Sequence, residues 1–323
     1  MNGASQMSTP VVRPLPGIEV IVPDVTGLPA DQPRPPLPWY RSWIVRLLVF
    51  AGCFVAASLG VVGLMSAAGV DQIGWLYSFA QIIAAVVAYV VVCLLEGRRH
   101  PLELAPSRVG GVLTGLAIGA LAMLLVFGLA VALGAREVRG FNPHYSPWEM
   151  LAMVGLGAGI AEEIIFRGIL YRLVEGWLGT WVALAISAAV FGGVHLSNPE
   201  GTVWGAVAIA LEAGIMFGLL YAVTRSLWVV MGVHAAWNVM QGPILGSAIS
   251  GATRDGDGFV RSYAKGPELL SGGVFGLEAS ILSVVLMLAF SAVLLRVVLQ
   301  HRLVVPPFWV RRRRNRELRQ PTG

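Results

Sequence analysis

Two adjacent carboxylates and a guanidinium sit inside an otherwise apolar stretch, in Ala161-Glu162-Glu163-Ile164-Ile165-Phe166-Arg167-Gly168. Ionisable groups at membrane depth are costly and commonly line a cavity or a functional path. Two later apolar stretches add His195 and His234, the second followed by Asn238. A carboxylate that can act as general base, beside imidazole and amide groups, is the equipment of a water-based hydrolytic centre.

On a helix at about 100° per residue, Glu163 and Arg167 are neighbours at i and i+4, while Glu162 shares a face with Phe166. Glu163 can then pair with Arg167, which lowers the cost of burying both charges. Glu162 is left to face a cavity as the candidate base. The same spacing joins Phe191 to His195, and His234 to Asn238. His100, His144 and His301 fall in polar loops or near an end, so only His195 and His234 lie within or at the lip of apolar stretches.

Each group also has a plainer reading. A single histidine in a membrane helix is often an interhelical hydrogen-bond partner, and the Glu163–Arg167 pair reads as structural. For Glu162 the competing partner is Arg225. Glu212, inside another apolar stretch, reads as structural or cavity-lining and receives no role. Convergence of all these groups from separate helices favours a site over any single plain reading.

The elements that must position them are membrane helices. Of 323 residues, 56% are hydrophobic and 13% charged, against about a quarter charged in soluble proteins. The expected fold is all-α and polytopic, with about eight transmembrane helices around an intramembrane catalytic cavity. The stretches fall near 43–68, 73–96, 110–134, 148–175, 179–196, 202–223, 227–249 and 273–300. Before them, the proline-rich segment 1–40 is expected to be a disordered cytosolic tail. A transmembrane domain covers 41–302, and 303–323 forms a basic cytosolic tail. No cleavable signal peptide is expected, the N-terminus being polar and proline-rich. Small residues (Gly155, Gly157 and Gly159; Gly192 and Gly193; Gly214 and Gly218) mark close helix packing.

The net charge of +5 does not point to nucleic acid. Its clearest cluster, Arg311–Arg314, follows the last apolar stretch and reads as a cytosolic anchor to anionic lipid, without stacking aromatics. Cys53 and Cys93 lie in apolar stretches and give no disulfide framework. Arginine asymmetry places Arg41, Arg46, Arg98, Arg99, Arg108, Arg172, Arg225 and the terminal run on one side, with both termini cytosolic; the other side holds Arg136 and Arg139, the exceptions, and the loop with Arg254, Asp255, Asp257, Arg261 and Lys265. Counted from that side, Glu162 lies about 20 Å deep and His195 about 24 Å. His234, about 10 Å along its helix, agrees only if that helix begins deeper. The loop near 250–271 receives no role.

At these residues the sequence resembles the CAAX prenyl protease and bacteriocin-processing (CPBP) family of intramembrane proteases. Glu162, Glu163 and Arg167 match its Glu-Glu-x-x-x-Arg motif, Phe191 and His195 its Phe-x-x-x-His motif, and His234 and Asn238 its His-x-x-x-Asn/Asp motif. The likeness spans about 148–245. It implies peptide-bond hydrolysis in the membrane: Glu162, aided by His195, would activate water, and His234 and Asn238 would stabilise the oxyanion. Glu163, Arg167 and Phe191 would support the site. The substrate implied is a membrane-embedded or lipidated peptide in the bilayer, with no nucleic acid. The alternative is a non-catalytic membrane binding or bacteriocin-immunity protein of the same fold. Composition looks bacterial, which places the protein in a plasma membrane. A divalent metal, zinc, would use Glu162, His195 and His234; with no His-Glu-x-x-His motif, the reading leans to metal-free chemistry.

Overall fold

The computed structural model describes residues 42–70, 74–98 and 101–317. The expected tail 1–40, together with Arg41, Asp71, Arg99, His100 and the segment from 318, lies outside the described residues. Nine helices of seven or more residues organise the rest: α1 (Trp43–Ala67), α2 (Gly74–Glu96), α3 (Gly111–Ala132), α4 (148–178), α5 (Thr180–Val194), α6 (Val203–Thr224), α7 (227–244), α8 (Ile281–Gln300) and α9 (Phe308–Glu317). A two-stranded antiparallel ribbon, β1 (Arg136–Phe141) with β2 (Val260–Ala264), is the sole sheet among the described residues.

Six helices are long and apolar enough to cross a bilayer: α1, α2, α3, α5, α6 and α8. Their outward side chains, among them Leu59, Leu64, Leu113, Leu121 and Val285, are exposed. On a soluble protein such a surface would be an aggregation liability; here it is the surface that lipid solvates. The chain is an integral membrane protein of the polytopic helical class. The fourth and seventh expected spans do form helices, but neither has the apolar character of the other six. The reason is local. α4 carries Glu162, Glu163 and Arg167, and α7 carries His234, Asn238, Gln241 and Pro243. Both are packed inside the bundle, α4 against α2, α5 and α7, and α7 against α3, α4 and α6.

α3 and α7 approach almost backbone to backbone. A Cβ at Gly115 would stand 2.2 Å from the Val229 carbonyl oxygen, and one at Gly119 would stand 2.3 Å from that of Val233. Gly232 meets Val112 O from the other side at 2.5 Å. Without a hydrophobic drive between helices in lipid, such close approach supplies the packing energy. Most glycines expected at interfaces do pack: Gly155 against Val239, Gly159 against Ala235, Gly192 against Ala206 and Gly214 against Ala188. Gly193 is the exception and faces open space.

Ion pairs gather one set of helix ends. Glu96, closing α2, meets Arg46 of α1 at 2.6 Å and Arg172 of α4 at 2.8 Å. Arg225, in a left-handed conformation (φ 48°) between α6 and α7, binds both carboxylate oxygens of Glu175. It is therefore not a partner of Glu162. That turn is itself sunk in the bundle, with Arg225, Ser226 and Leu227 all buried. His234 stands at the level of the glutamates all the same, against Glu163 and Glu162. Arg108 donates to the carbonyls of Thr224 and Arg225, and Arg311 of α9 to that of Gly176.

The opposite face is built from loops and the ribbon. Arg136 is buried and tied to Asp255 at 3.0 Å, to Ser262 Oγ at 2.8 Å and to Gly246 O at 3.3 Å. Its exception to the arginine asymmetry is structural: this guanidinium is spent inside the protein. Arg139 pairs with Glu137 at 3.1 Å. The 250–271 loop supplies Asp255 and strand β2 to this face.

Replacing Gly119 by Val drives two methyl groups into the α7 backbone; thermal unfolding of the purified protein should show a loss of ~1–3 kcal/mol or more. Glu103, in the α2–α3 connection, is buried, which favours its protonated form, yet Arg98 at 2.5 Å and the nearby Arg172 hold its carboxyl below the usual range. A depressed carboxylate stabilises the fold above its unfolded pKa and loses that contribution as pH falls through its folded value. Glu103→Gln should therefore cost ~2 kcal/mol at neutral pH. Thermal midpoints of the two proteins should converge as pH drops below about 4.3.

Candidate active site

α4 is wound unevenly around its carboxylates. It is π-helical over Leu151–Ala158 and Ile164–Tyr171, with a five-residue α-helical piece, Gly159–Glu163, between them. Wide turns of this kind occur preferentially at functional sites. The two glutamates end in different surroundings: the Glu163 side chain is wholly buried, whereas that of Glu162 is 31% exposed.

Glu163 accepts from Arg167 Nη1 at 2.9 Å, as the i, i+4 spacing predicts, and also from His234 Nδ1 at 2.8 Å. The second contact orients the imidazole: with Nδ1–H given to Glu163, Nε2 is turned to Glu162 Oε2, 4.0 Å away. That gap is too long for a direct hydrogen bond. Glu162 Oε2 is itself buried and has no hydrogen-bond partner.

His195 follows the last residue of α5 and opens a single 3-10 turn, His195–Ser197. Its Nδ1 lies 2.7 Å from the Phe191 carbonyl. A carbonyl only accepts, so Nδ1 carries the proton and Nε2 of the neutral ring keeps its lone pair. Asn238 Nδ2 donates to Val154 O at 3.1 Å, which ties α7 to the first π segment of α4 and leaves a second N–H on the same nitrogen.

Phe191 is the hub beneath these groups. Its ring lies 5.1 Å from that of His195 and 6.0 Å from that of His234, and Phe166 meets it edge-on at 4.9 Å. The Arg167 guanidinium stacks on Phe191 at 4.5 Å and on Phe217 at 5.1 Å, and Nη2 donates to Ala213 O at 3.2 Å.

Glu162, His195, His234 and Asn238 converge on one cavity of about 370 Å³, walled also by Ser78 and Gln81 of α2. A small side chamber behind His195 adds Glu212, Glu278 and Trp237. Glu212 is buried and lines this chamber, and its Oε2 lacks a partner. Glu278, which accepts from the Ser250 amide, was not anticipated; the signal existed, since it is a lone acid in the stretch read as 273–300. Burial pushes its carboxyl up, against the Ser250 hydrogen bond and the neighbouring His195. Gln241, one turn beyond Asn238, donates to Ala248 O at 2.6 Å and was likewise missed.

The same donors were tested against a metal. Among the described residues, no three His, Cys, Asp or Glu groups are arranged to hold one ion. The set as it stands does not fit a three-ligand zinc centre, and no step below is routed through a metal.

Residues 144–240 match the family model described as type II CAAX prenyl endopeptidase Rce1-like. The match contains every motif residue named above, so the resemblance to the CPBP proteases holds over this segment. No curated protein matches the chain.

Arg167 is the cation on which the buried Glu163 depends. Arg167→Met keeps the apolar stem but leaves that carboxylate unpaired, and thermal unfolding should show a loss of ~3–5 kcal/mol.

Proposed function

We propose that this protein is an intramembrane endopeptidase that hydrolyses a peptide bond of a membrane-associated or lipidated substrate by glutamate-based, metal-free chemistry. One observation carries the reading: a partly exposed carboxylate, Glu162, faces an oriented imidazole, His234, across a gap of 4.0 Å, on a cavity that His195 and Asn238 share.

In this mechanism Glu162 takes a proton from a water held between its carboxylate and the imidazoles. The hydroxide attacks the scissile carbonyl carbon. His195 Nε2, with its lone pair toward the cavity, assists that proton transfer. The carbonyl oxygen becomes an oxyanion that Asn238 N–H and the Nε2–H of a His234 imidazolium, whose Nδ1–H is held by Glu163, stabilise; donors already held in place give such an arrangement its advantage. Collapse of the tetrahedral intermediate breaks the C–N bond. The proton on Glu162 passes to the leaving amine, which regenerates the carboxylate. Glu163 and Arg167 act one layer out, holding His234 and the Phe191 hub. Both termini are assigned to the cytosol, in a bacterial plasma membrane, on the arginine asymmetry and composition.

Glu162→Gln preserves size and hydrogen bonding but removes the base. Cleavage of a quenched membrane-peptide library by purified protein should fall by about 10²-fold or more, with the fold retained, and wild-type cleavage should persist in strong chelator. Full activity in Glu162→Gln would refute the base. Loss of wild-type activity in chelator alone would refute the metal-free step. A binding protein of the same fold would show no difference between the two proteins.

A further inference from the structure

We propose that the catalytic cavity opens on the extracytoplasmic side, so that its substrate is a peptide segment presented there, such as the exported part of a membrane-anchored protein, and not a cytosolic lipidated tail. The substrate half of this inference rests on the endopeptidase reading; the sidedness half does not.

Hydrogen bonds divide the helix ends into two sets. The first set is joined through Arg46–Glu96–Arg172, Arg225–Glu175, Arg108 to the Thr224 and Arg225 carbonyls, and Arg311 to Gly176 O. The second is joined through Asn198 to Ser250 O at 2.7 Å, the Glu200 amide to Gly251 O at 2.9 Å, and the Asn142 amide to Phe259 O at 2.8 Å. The cavity belongs wholly to the second set. Its wall runs from Gly74 at the start of α2 and Met153 near the start of α4 to Asn198 after α5 and Ala252 after α7, with Glu162 and His234 at its floor.

The route from the first set is closed. Below Arg167 the bundle is filled by Tyr171, Leu220, Tyr221, Val223 and Leu227, each no more than 2% exposed. The Arg225–Glu175 pair lies across the end of that column.

Sidedness then follows from where basic residues lie. The first set holds Arg98, Arg108, Arg172, Arg225, Arg302 and the run from Arg311. Short loops rich in arginine remain cytosolic, and acidic residues weigh little in that rule. The cavity face carries Arg136, Arg139, Arg254, Arg261 and Lys265, with Arg136 tied to Asp255 and Arg139 to Glu137; the first set, with Arg46 and the terminal run, holds more. The arginine-rich face is cytosolic, and the mouth faces away from it.

The test uses full-length protein in which Cys53 and Cys93 are replaced by Ala, carrying either Ala252→Cys at the exposed cavity rim or Ser107→Cys on the exposed arginine-rich face. Intact cells are treated with a membrane-impermeant maleimide. Ala252→Cys should label in intact cells, and Ser107→Cys only after permeabilisation, with a rate difference of at least about tenfold between the two before permeabilisation. Labelling of Ser107→Cys in intact cells overturns the proposal, and so does labelling of Ala252→Cys only after permeabilisation. A rim that labels from neither side also overturns it, because a mouth open to water admits the reagent. A membrane-impermeant peptide library should then be cut by right-side-out vesicles of wild type and not of Glu162→Gln; cutting by inverted vesicles alone refutes the substrate assignment. Absence of cutting in both vesicle types counts against the endopeptidase reading, while the labelling pattern still decides sidedness.

Discussion

The structure depends on one buried ion pair. Glu163 and Arg167 are both fully buried, 2.9 Å apart, in a medium where an isolated charge would be prohibitively costly. Arg167 is satisfied on several sides: by Glu163, by the Ala213 carbonyl and by the faces of Phe191 and Phe217. Glu163 in turn holds His234. Through this pair α4 is fixed to α5, α6 and α7 at once, and those helices bring Phe191 and Glu212 to the side chamber and His234 to both it and the cavity. The pair sets where the imidazoles stand without having to meet substrate.

A second constraint is geometric. His234 and Asn238 can reach α4 only if α7 sits deep in the bundle, and two features put it there. Gly115 and Gly119 of α3 allow α7 to approach within backbone contact, and the α6–α7 turn is pinned inside by Arg225 and Glu175. The positive φ at Arg225 is a conformation that non-glycine residues rarely adopt. The paired guanidinium offsets it by anchoring the side chain that makes the turn.

What the sequence made legible was local. The Glu163–Arg167 contact follows from helical spacing alone, and the apolar stretches reveal the polytopic architecture by length and composition. Contacts between distant segments were not. His234 meets Glu163 across 71 residues and Asn198 meets Ser250 across 52, and no periodicity encodes such pairings. The ribbon escaped notice because its strands are short and set in polar loops. Arg225 was weighed as a partner for Glu162, but it lies at the far end of α4, beside Glu175. Hydropathy also separated the helices by their work: α4 and α7, the two that fall short of the six apolar helices, are the two that carry most of the polar site.

That separation explains how adjacent glutamates acquire different tasks. In a uniform α-helix neighbouring residues point about 100° apart, which alone would set Glu162 and Glu163 on different sides of α4. The π turns before and after Gly159–Glu163 add slack to the ladder on both sides, so the piece between them can be aimed independently of the packing at either end. One carboxylate is then directed to Arg167 and His234 in the dry interior. The other is directed to the wet cavity, where Ser78 and Gln81 of α2 give the opposite wall its polar lining. In the proposed mechanism the base must exchange protons with water, and the positioning carboxylate must not be drawn away by it. The wide turns of α4 thus let two consecutive residues stand in opposite surroundings, Glu163 wholly buried and Glu162 31% exposed on the cavity.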